Sequence, residues 1–290
     1  MNDNDIDARI FDLYDEYCHG GIDRREFLRR AAVLTVGGLA MAQALLPRYA
    51  AAQTISFTDD RIRPRYVTYP SPGGVSGEMR GYLVQPAGDE PFPAVLVVHE
   101  NRGLNPYIED VARRTAVAGF LALAPDGLYP AGGYPGNDDD GRELQRSLDP
   151  DKLREDMVNS ARYLERHDLS NGKLGVVGFC WGGGIANHLA VTLGGDLQAA
   201  VPFYGAAPPT DRVQNIQAAV MVQAAEDDPR VNALWPEYEA ALEEHGVEYQ
   251  YHRYPGTRHG FHNNSTPRYH EEAAALAWRR TVDFFEEHLR

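Results

Sequence analysis

The segment 173–182 constrains the fold of this chain more than any other part of the sequence. The apolar run at its start predicts a buried strand, and the small residues at 183–193 predict a helix. A strand, a tight turn and a helix with a nucleophile at the apex form a nucleophile elbow, here with Cys180 in the place of serine. Side chains at Gly178 and Gly182 would collide with the adjacent strand and helix, which explains the glycines.

The place of Cys180 at the start of a helix has a chemical consequence. The positive end of a helix favours a thiolate, and it directs the backbone N–H of Trp181 toward a developing oxyanion. The pattern Gly-x-Cys-x-Gly alone also fits a buried structural cysteine or a phosphate-binding turn. Residues elsewhere in the chain must therefore decide between these interpretations.

The charge and composition argue against several classes of partner. The chain has 290 residues, of which 43% are hydrophobic, and a formal net charge of −14. A protein this acidic repels nucleic acid and anionic membranes, so we expect neither as a partner. The only cysteines, Cys18 and Cys180, form no Cys-x-x-Cys motif or thiol cluster. The sequence predicts no cofactor and no metal.

The beginning of the chain resembles an export signal. The segment 24–28, Arg-Arg-Glu-Phe-Leu, resembles the twin-arginine motif of proteins exported in the folded state. An uncharged stretch rich in small and apolar residues covers 31–47, and three alanines at 50–52 fit a cleavage site. A basic region, an apolar region and a small-residue site are the three parts of such a signal.

We therefore predict that residues 1–52 are an export signal that is removed, and that residues 24–52 engage the export machinery. The mature protein, 53–290, is then periplasmic and has no stable association with the membrane, since no later run is apolar for long enough to span a bilayer. The alternatives are an amphipathic N-terminal helix of a cytoplasmic protein and an uncleaved membrane anchor.

After Gln53, apolar runs alternate with amphipathic segments. Continuous apolar runs are typical of strands covered on both faces, as in a parallel sheet. These runs are 94–98, 120–124, 174–177, 199–203 and 219–223. The segment 78–85 alternates and predicts a half-exposed edge strand, whereas 127–148, rich in Gly, Pro, Tyr and Asp, predicts a long loop over the site. The whole pattern predicts a single doubly wound α/β domain with a mainly parallel sheet.

Three reactive residues follow the ends of predicted strands, where ligands bind in such sheets. Cys180, an aspartate at 227 or 228, and His259 occur in the order nucleophile, acid and base. A thiol nucleophile needs a base for its proton and a group that orients the base. We favour Asp228 as that group, because its spacing to Val231 leads into the next helix, whereas Asp227 would cap the helix.

Glu100 follows another predicted strand and has three possible roles. A carboxylate near the thiol can take its proton, although the negative charge would disfavour a resting thiolate. Otherwise Glu100 pairs with Arg102 or caps the helix that follows.

Together these residues resemble the dienelactone hydrolase family of α/β-hydrolases, from about Gly81 to the C-terminus. The segments that carry the resemblance are 99–103, 124–129, 178–183, 226–231 and 259–261. The resemblance implies an α/β-hydrolase fold and hydrolysis of an ester or lactone, as in carboxymethylenebutenolidase. It implies Cys180 as nucleophile, His259 as base, Asp228 as its partner, Glu100 as the carboxylate that helps to ionise the thiol, and the backbone N–H groups of Asn101 and Trp181 as the oxyanion hole.

The sequence departs from the family in the substrate pocket. The family binds a substrate carboxylate with arginines, which are expected shortly after Tyr129 and just after 259–261, and this chain has none at either place. Tyr129, Tyr204, His262 and Asn263 instead predict aromatic walls with neutral polar groups. Such a pocket favours an uncharged ester or lactone over a dianion.

We therefore favour a Cys-dependent hydrolase that acts through a Cys-Asp-His triad and a thioester. One alternative is a non-enzymatic periplasmic binding protein, because a fold does not fix a function. Another is a metal site made of His259 and His262 with Glu100 or His99, for which the spacing is a weak signal. The presence of a nucleophile, an acid and a base in the right order favours the hydrolase.

Overall fold

The apolar runs form the centre of one eight-stranded sheet in the computed structural model. The structure describes residues 8–18, 22, 24–35, 37–44 and 53–290. The strands are β1 (Ile62–Pro70), β2 (Glu78–Pro86), β3 (Phe92–Val98), β4 (Leu121–Pro125), β5 (Ser170–Phe179), β6 (Ala199–Phe203), β7 (Ala219–Asp227) and β8 (Tyr249–Arg258).

The order of the strands confirms the predicted architecture. The sheet runs β1-β2-β4-β3-β5-β6-β7-β8, with β2 antiparallel to both of its neighbours and the remaining pairs parallel. The central strands are buried on both faces, which is why they read as continuous apolar runs. The chain from Gln53 onward forms the single α/β domain that the alternation predicts.

Helices cover both faces of this sheet. In the described ranges the α-helices are α1 (Ala8–Cys18), α2 (Arg24–Leu34), α3 (Gly38–Ala44), α4 (Pro106–Val117), α5 (Asp138–Ser147), α6 (Pro150–Glu165), α7 (Trp181–Leu193), α8 (Pro229–Asn232), α9 (Trp235–Glu244) and α10 (Glu271–Leu289). One core lies between the sheet and helices α4 and α10, and the other lies under α6, α7 and α9. The sheet is therefore the middle layer of three.

The prediction that the segment 78–85 forms a half-exposed edge strand is wrong. Strand β2 lies between β1 and β4, and its second half is buried. Its alternating residues face two different cores, with Leu83 in one and Val84 in the other. One edge of the sheet is β1, most of whose residues are exposed or partly buried.

The predicted long loop at 127–148 contains helix α5. The side chain of Asn137 caps this helix by accepting a hydrogen bond from the Asp140 N–H at 3.0 Å, and three aspartates lie in its first turn. A buried ion pair of 2.7 Å between Asp138 and Arg102 fixes the helix next to the segment after β3. The segment 127–148 therefore contains an ordered helix and is not a loop throughout.

Helices α1, α2 and α3 pack around a small core of their own, made of Ile10, Leu13, Tyr14, Tyr17, Ile22, Phe27 and Ala31. This unit falls inside the predicted export signal, while the predicted cleavage site at 50–52 lies outside the described residues. Among the described helices, every one is too short or too polar to cross a lipid bilayer.

Candidate active site

The nucleophile elbow lies between β5 and α7, and Cys180 sits at its apex. The backbone of Cys180 has φ 56° and ψ −112°, a strained conformation for a residue with a side chain. Its amide donates to the carbonyl oxygen of Phe203 at 3.0 Å, which ties the apex to strand β6. A Cβ at Gly178 would lie 1.9 Å from the carbonyl oxygen of Gly182, so the turn closes only with glycine there.

We expect Gly178→Ala to lower the free energy of unfolding by about 3 kcal/mol or more, because neither backbone segment can move away from the new methyl group. The matched control is Gly184→Ala. A Cβ at Gly184 would lie 3.7 Å from its nearest neighbour, and alanine favours a helix by about 1 kcal/mol. Urea unfolding of both variants tests this, and equal stability of the two would contradict the close-packed turn.

Strands β7 and β8 bring the predicted acid and base together. Both strands run further than the sequence suggests, so Asp228 and His259 follow their last residues directly. The Nδ1 of His259 lies 2.6 Å from Oδ2 of Asp228, and both side chains are buried. Asp228 also caps α8 by accepting the Val231 N–H at 3.4 Å, the capping role that the sequence suggests for Asp227. Asp227 faces Arg258 instead, and its side chain is 56% exposed.

The base is also coupled electrostatically to the nucleophile. Burial opposes a charge on His259, but the negative charge of Cys180 and the hydrogen bond to Asp228 raise the pKa of His259 to about 10. Burial opposes a charge on Asp228 as well, yet its hydrogen bond to His259 and the charges of His259 and Arg230 lower the pKa of Asp228. A charged imidazole between a carboxylate and a thiolate is the arrangement that this electrostatic field favours.

Glu100 lies two residues after the end of β3 and is buried close enough to Cys180 for its charge to act on Glu100. The side-chain N–H of Asn263 donates to Glu100 Oε2 at 2.8 Å. Burial raises the pKa of Glu100 and the nearby Cys180 charge raises it further, while Arg102 and Arg268 lower it. The next helix, α4, is capped by Asn105, so capping of α4 is not the role of Glu100.

The two residues predicted for the oxyanion hole line the same cavity as the nucleophile. Asn101 follows Glu100, and Trp181 is the first residue of α7, so its N–H lies at the positive end of that helix. The Trp181 ring stacks on His99, with ring centroids 5.1 Å apart. The oxyanion role of the two N–H groups stays a prediction.

The cavity beside Cys180 differs from the neutral pocket that the sequence suggests. It measures about 730 Å³ and includes three arginines in its walls, Arg154, Arg212 and Arg230. Arg154 comes from α6, Arg212 from a 3-10 helix at Thr210–Asn215, and Arg230 from α8. The expectation of a pocket without cations is therefore wrong, because arginines from other elements lie in its walls.

The charges of two of these arginines act on one histidine of the cavity wall. Burial lowers the pKa of His188, and the charges of Arg154 and Arg212 lower it further. Arg154 also pairs with Asp151, which lines the same cavity. The charged groups of the wall are thus three cations and one anion.

Of the four predicted substrate-binding residues, only Tyr204 lines this cavity. Tyr129 donates its hydroxyl proton to Glu78 at 2.8 Å. His262 is buried with Nδ1 2.7 Å from the Tyr107 hydroxyl, and Asn263 holds Glu100, as described above. The side chains of His262 and Asn263 turn into the protein, whereas that of Tyr129 lies at the surface against Glu78. Position along the chain does not show these directions.

The structure does not support the alternative of a metal site. His259 and His262 direct their Nδ1 atoms at Asp228 and Tyr107, respectively. In the described ranges, no three His, Cys, Asp or Glu side chains are arranged to hold a metal ion.

Sequence reasoning missed the arginines of the cavity and the support of Glu100 by Asn263. Arg230 lies two residues after Asp228, inside the segment 226–231, so a usable signal for it was present. Arg154 and Arg212 have no local motif, since only the packing of α6 and of the segment after β6 brings them to Cys180.

Comparison with known proteins agrees with this fold. A family model described as the dienelactone hydrolase family matches residues 79–289, and a second one described as YqhI-like matches residues 1–35. A hydrolase fragment of Escherichia coli (strain K12), YghX, is 65% identical over 113 residues, which are 39% of this chain and 96% of that protein.

Some proteins that match over more of this chain are named as lactone hydrolases. A Bradyrhizobium sp. protein named as a 2-oxo-3-(5-oxofuran-2-ylidene)propanoate lactonase is 31% identical over 232 residues, which are 74% of this chain and 92% of that protein. The crystal structure of a protein titled as a dienelactone hydrolase, from Klebsiella pneumoniae subsp. pneumoniae MGH 78578, superposes with a TM-score of 0.66 at 26% identity. That match covers 77% of this chain and all of the other. The chain therefore belongs to the dienelactone hydrolase family and is a carboxylic ester hydrolase with an α/β-hydrolase fold.

Proposed function

We propose that this protein hydrolyses anionic esters or lactones through Cys180 and a thioester intermediate. The observation that carries the proposal is the 2.6 Å contact of Asp228 with His259 together with the influence of the Cys180 charge on the same imidazole, at the ends of β7, β8 and β5. A nucleophile, its base and a group that orients the base are what acyl transfer requires. The membership in a family of ester hydrolases supports the same reaction.

The first half of the reaction forms the thioester. The Cys180 thiol gives its proton to His259, and the sulfur attacks the carbonyl carbon of the substrate. The N–H groups of Asn101 and Trp181 stabilise the negative charge on the carbonyl oxygen. When the C–O bond of the ester breaks, His259 returns the proton to the leaving alkoxide, which in a lactone stays attached to the acyl chain.

The second half releases the acid. A water molecule gives a proton to His259 while its oxygen attacks the thioester carbon, and the same oxyanion hole stabilises the new tetrahedral intermediate. The C–S bond then breaks, and the sulfur takes the proton back as the carboxylic acid leaves. Glu100, with a pKa raised by burial, is a nearby site that accepts a proton when the charge on the sulfur changes.

The cationic wall of the cavity supports an anionic substrate. Arg154 and Arg212 come close enough to influence His188, and Arg230 lines the same cavity. Guanidinium groups bind carboxylates through paired hydrogen bonds, which a neutral ester does not offer. A cavity of about 730 Å³ is large enough for a small ester or lactone that carries a carboxylate.

The test of the reaction is a short-chain ester assay joined to alkylation. Activity on p-nitrophenyl acetate should fall in step with the addition of one iodoacetamide group, located at Cys180 by peptide mass mapping. Activity that survives complete alkylation of Cys180 would overturn the mechanism. If Cys180 does not react and no ester or thioester is hydrolysed, the non-enzymatic binding protein becomes the better interpretation.

We expect the double substitution Arg154→Gln and Arg212→Gln to lower the activity on anionic substrates alone. The ratio kcat/KM for p-nitrophenyl hemisuccinate should fall about 10- to 100-fold, because a hydrogen bond to a charged group contributes about 1.5–3 kcal/mol. The value for p-nitrophenyl acetate should change less than about threefold, since neither arginine contacts the catalytic residues in the proposal. Arg166→Gln, at a side chain 75% exposed on the outer surface, is the control. Equal losses on both esters would contradict an anion-binding wall.

We also propose that the chain is exported to the periplasm through residues 24–52. The support is the run of arginines before an uncharged, small-residue stretch in the sequence. A protein that starts at Gln53 in the periplasmic fraction would agree with this. An intact chain found solely in the cytoplasm would contradict it.

A further inference from the structure

Two arginines of the hydrolase domain contact aromatic rings of the first helix. The Arg142 guanidinium lies 4.0 Å from the ring centroid of Tyr17, and that of Arg268 lies 4.8 Å from the ring centroid of Tyr14. Arg142 also donates a hydrogen bond to the backbone carbonyl of Tyr17. All four side chains are nearly inaccessible to solvent. Cation–π contacts of this kind are strongest when water is excluded from them.

The first of these arginines belongs to an element that supports the oxyanion segment. Arg142 lies on α5, which the Asp138–Arg102 ion pair fixes to the chain just after β3. A Cβ at Gly141 would lie 2.4 Å from the Arg102 carbonyl oxygen, so the helix packs directly on that backbone. Asn101, a predicted donor to the oxyanion, is the preceding residue. Tyr17 therefore contacts helix α5, which packs on the residue next to Asn101 of the predicted oxyanion hole.

The second arginine supports the segment that carries the base. The Arg268 guanidinium packs 3.1–3.5 Å from the position that a Cβ of Gly260 would occupy, and Gly260 follows His259. The charge of Arg268 also lowers the pKa of Glu100, against the burial that raises it. Tyr14 covers this guanidinium, so the first helix lies over a group that influences both His259 and Glu100.

We propose that helix α1 is an intramolecular clamp that holds α5 and the segment 259–270 in place beside Cys180. The helix joins two elements that are far apart in sequence, one packed on the backbone of Arg102, next to Asn101, and the other carrying His259. Its removal would leave two buried guanidinium groups without their aromatic contacts and would loosen both elements. Removal of residues 1–52 during export would then also change the active site, so the precursor and the mature enzyme would differ.

Hydrogen–deuterium exchange on the full-length chain tests the clamp without reference to catalysis. In the variant Tyr14→Ala with Tyr17→Ala, we expect exchange at 138–147 and at 259–270 to become at least about tenfold faster, because both segments lose a tertiary contact. The control is Val33→Ala on α2, at a side chain that is 80% exposed. It should leave both segments unchanged.

A second variant keeps the core of the N-terminal helices intact. Arg142→Met retains most of the side-chain volume but removes the charge over Tyr17 and the hydrogen bond to its carbonyl, so exchange at 138–147 should again increase. The proposal is overturned if residues 8–18 are unprotected in the wild-type chain. It is equally overturned if the double tyrosine variant and Arg142→Met leave both segments of the domain as protected as in the wild type.

Discussion

Cys180→Ala should lower kcat/KM for ester hydrolysis by about 10⁴-fold or more, the largest loss expected from any single substitution in this chain. Alanine has no atom that can form the thioester, so only the oxyanion hole and substrate binding remain to accelerate attack by water. The side chain lies partly exposed at the edge of the cavity, and its loss should change the free energy of unfolding by less than about 1 kcal/mol. Steady-state assays and urea unfolding measure the two effects.

The matched control is Cys18→Ala, which removes the other cysteine of the chain. It should keep full activity and leave one alkylation site, so that mass spectrometry in this background reports on Cys180 alone. Turnover by Cys180→Ala within tenfold of the wild type would mean that the sulfur is not the nucleophile. A large loss of stability in the same variant would mean that the activity loss reflects folding.

Asp228→Asn should lower kcat by about 10²- to 10⁴-fold without disturbing the helix that Asp228 caps. The carboxylate accepts a hydrogen bond from His259 Nδ1 at 2.6 Å and thereby fixes the proton on that nitrogen and the orientation of the ring. An asparagine side chain can donate to Nδ1 instead, which favours the wrong tautomer. Asparagine remains a good N-cap, so the bond to the Val231 N–H and the start of α8 are kept.

Asp227→Asn is the control, because the neighbouring carboxylate is half-exposed and faces Arg258. It should retain more than about half of the activity. A second measurement separates positioning from packing. The pKa of His259, raised to about 10, should fall in Asp228→Asn and stay in Asp227→Asn, as followed by NMR of the imidazole ring. Equal activity losses in the two variants would contradict the role of Asp228.

The sequence predicted those parts of the molecule that short-range patterns determine. The buried strands were found because parallel strands covered on both faces must be apolar along their whole length. The order of Cys180, Asp228 and His259 could be predicted because each follows a predicted strand, although β8 before His259 is a half-exposed edge strand. The elbow could be predicted because its glycines are required. A Cβ at any of them would lie 1.9 to 2.6 Å from a backbone atom.

Other parts depend on how distant elements pack, and they were missed. Arg212 reaches the cavity only because the chain after β6 folds back over α7, and Asn263 meets Glu100 across 163 positions of sequence. Helix α5 was mistaken for a loop because of its glycine, although Asn137 before three aspartates is a local signal for the start of a helix. Side-chain direction and long-range packing therefore account for most of the differences.

The arginines around the cavity lie in a protein whose net charge is −14. An approaching anion is therefore repelled only weakly by the distant carboxylates, because charges more than about one Debye length apart, roughly 8–10 Å at physiological ionic strength, are largely screened, and the arginines attract it only near the entrance. Dissolved salt then affects the rate of anion binding in two opposite ways. It screens the distant repulsion and speeds arrival, while it weakens the final attraction by a smaller amount because the guanidinium groups of Arg154 and Arg212 are partly shielded from solvent. If the substrate is anionic, as proposed, the arginines select its charge at contact, and the ionic strength of the medium sets how often contact is reached.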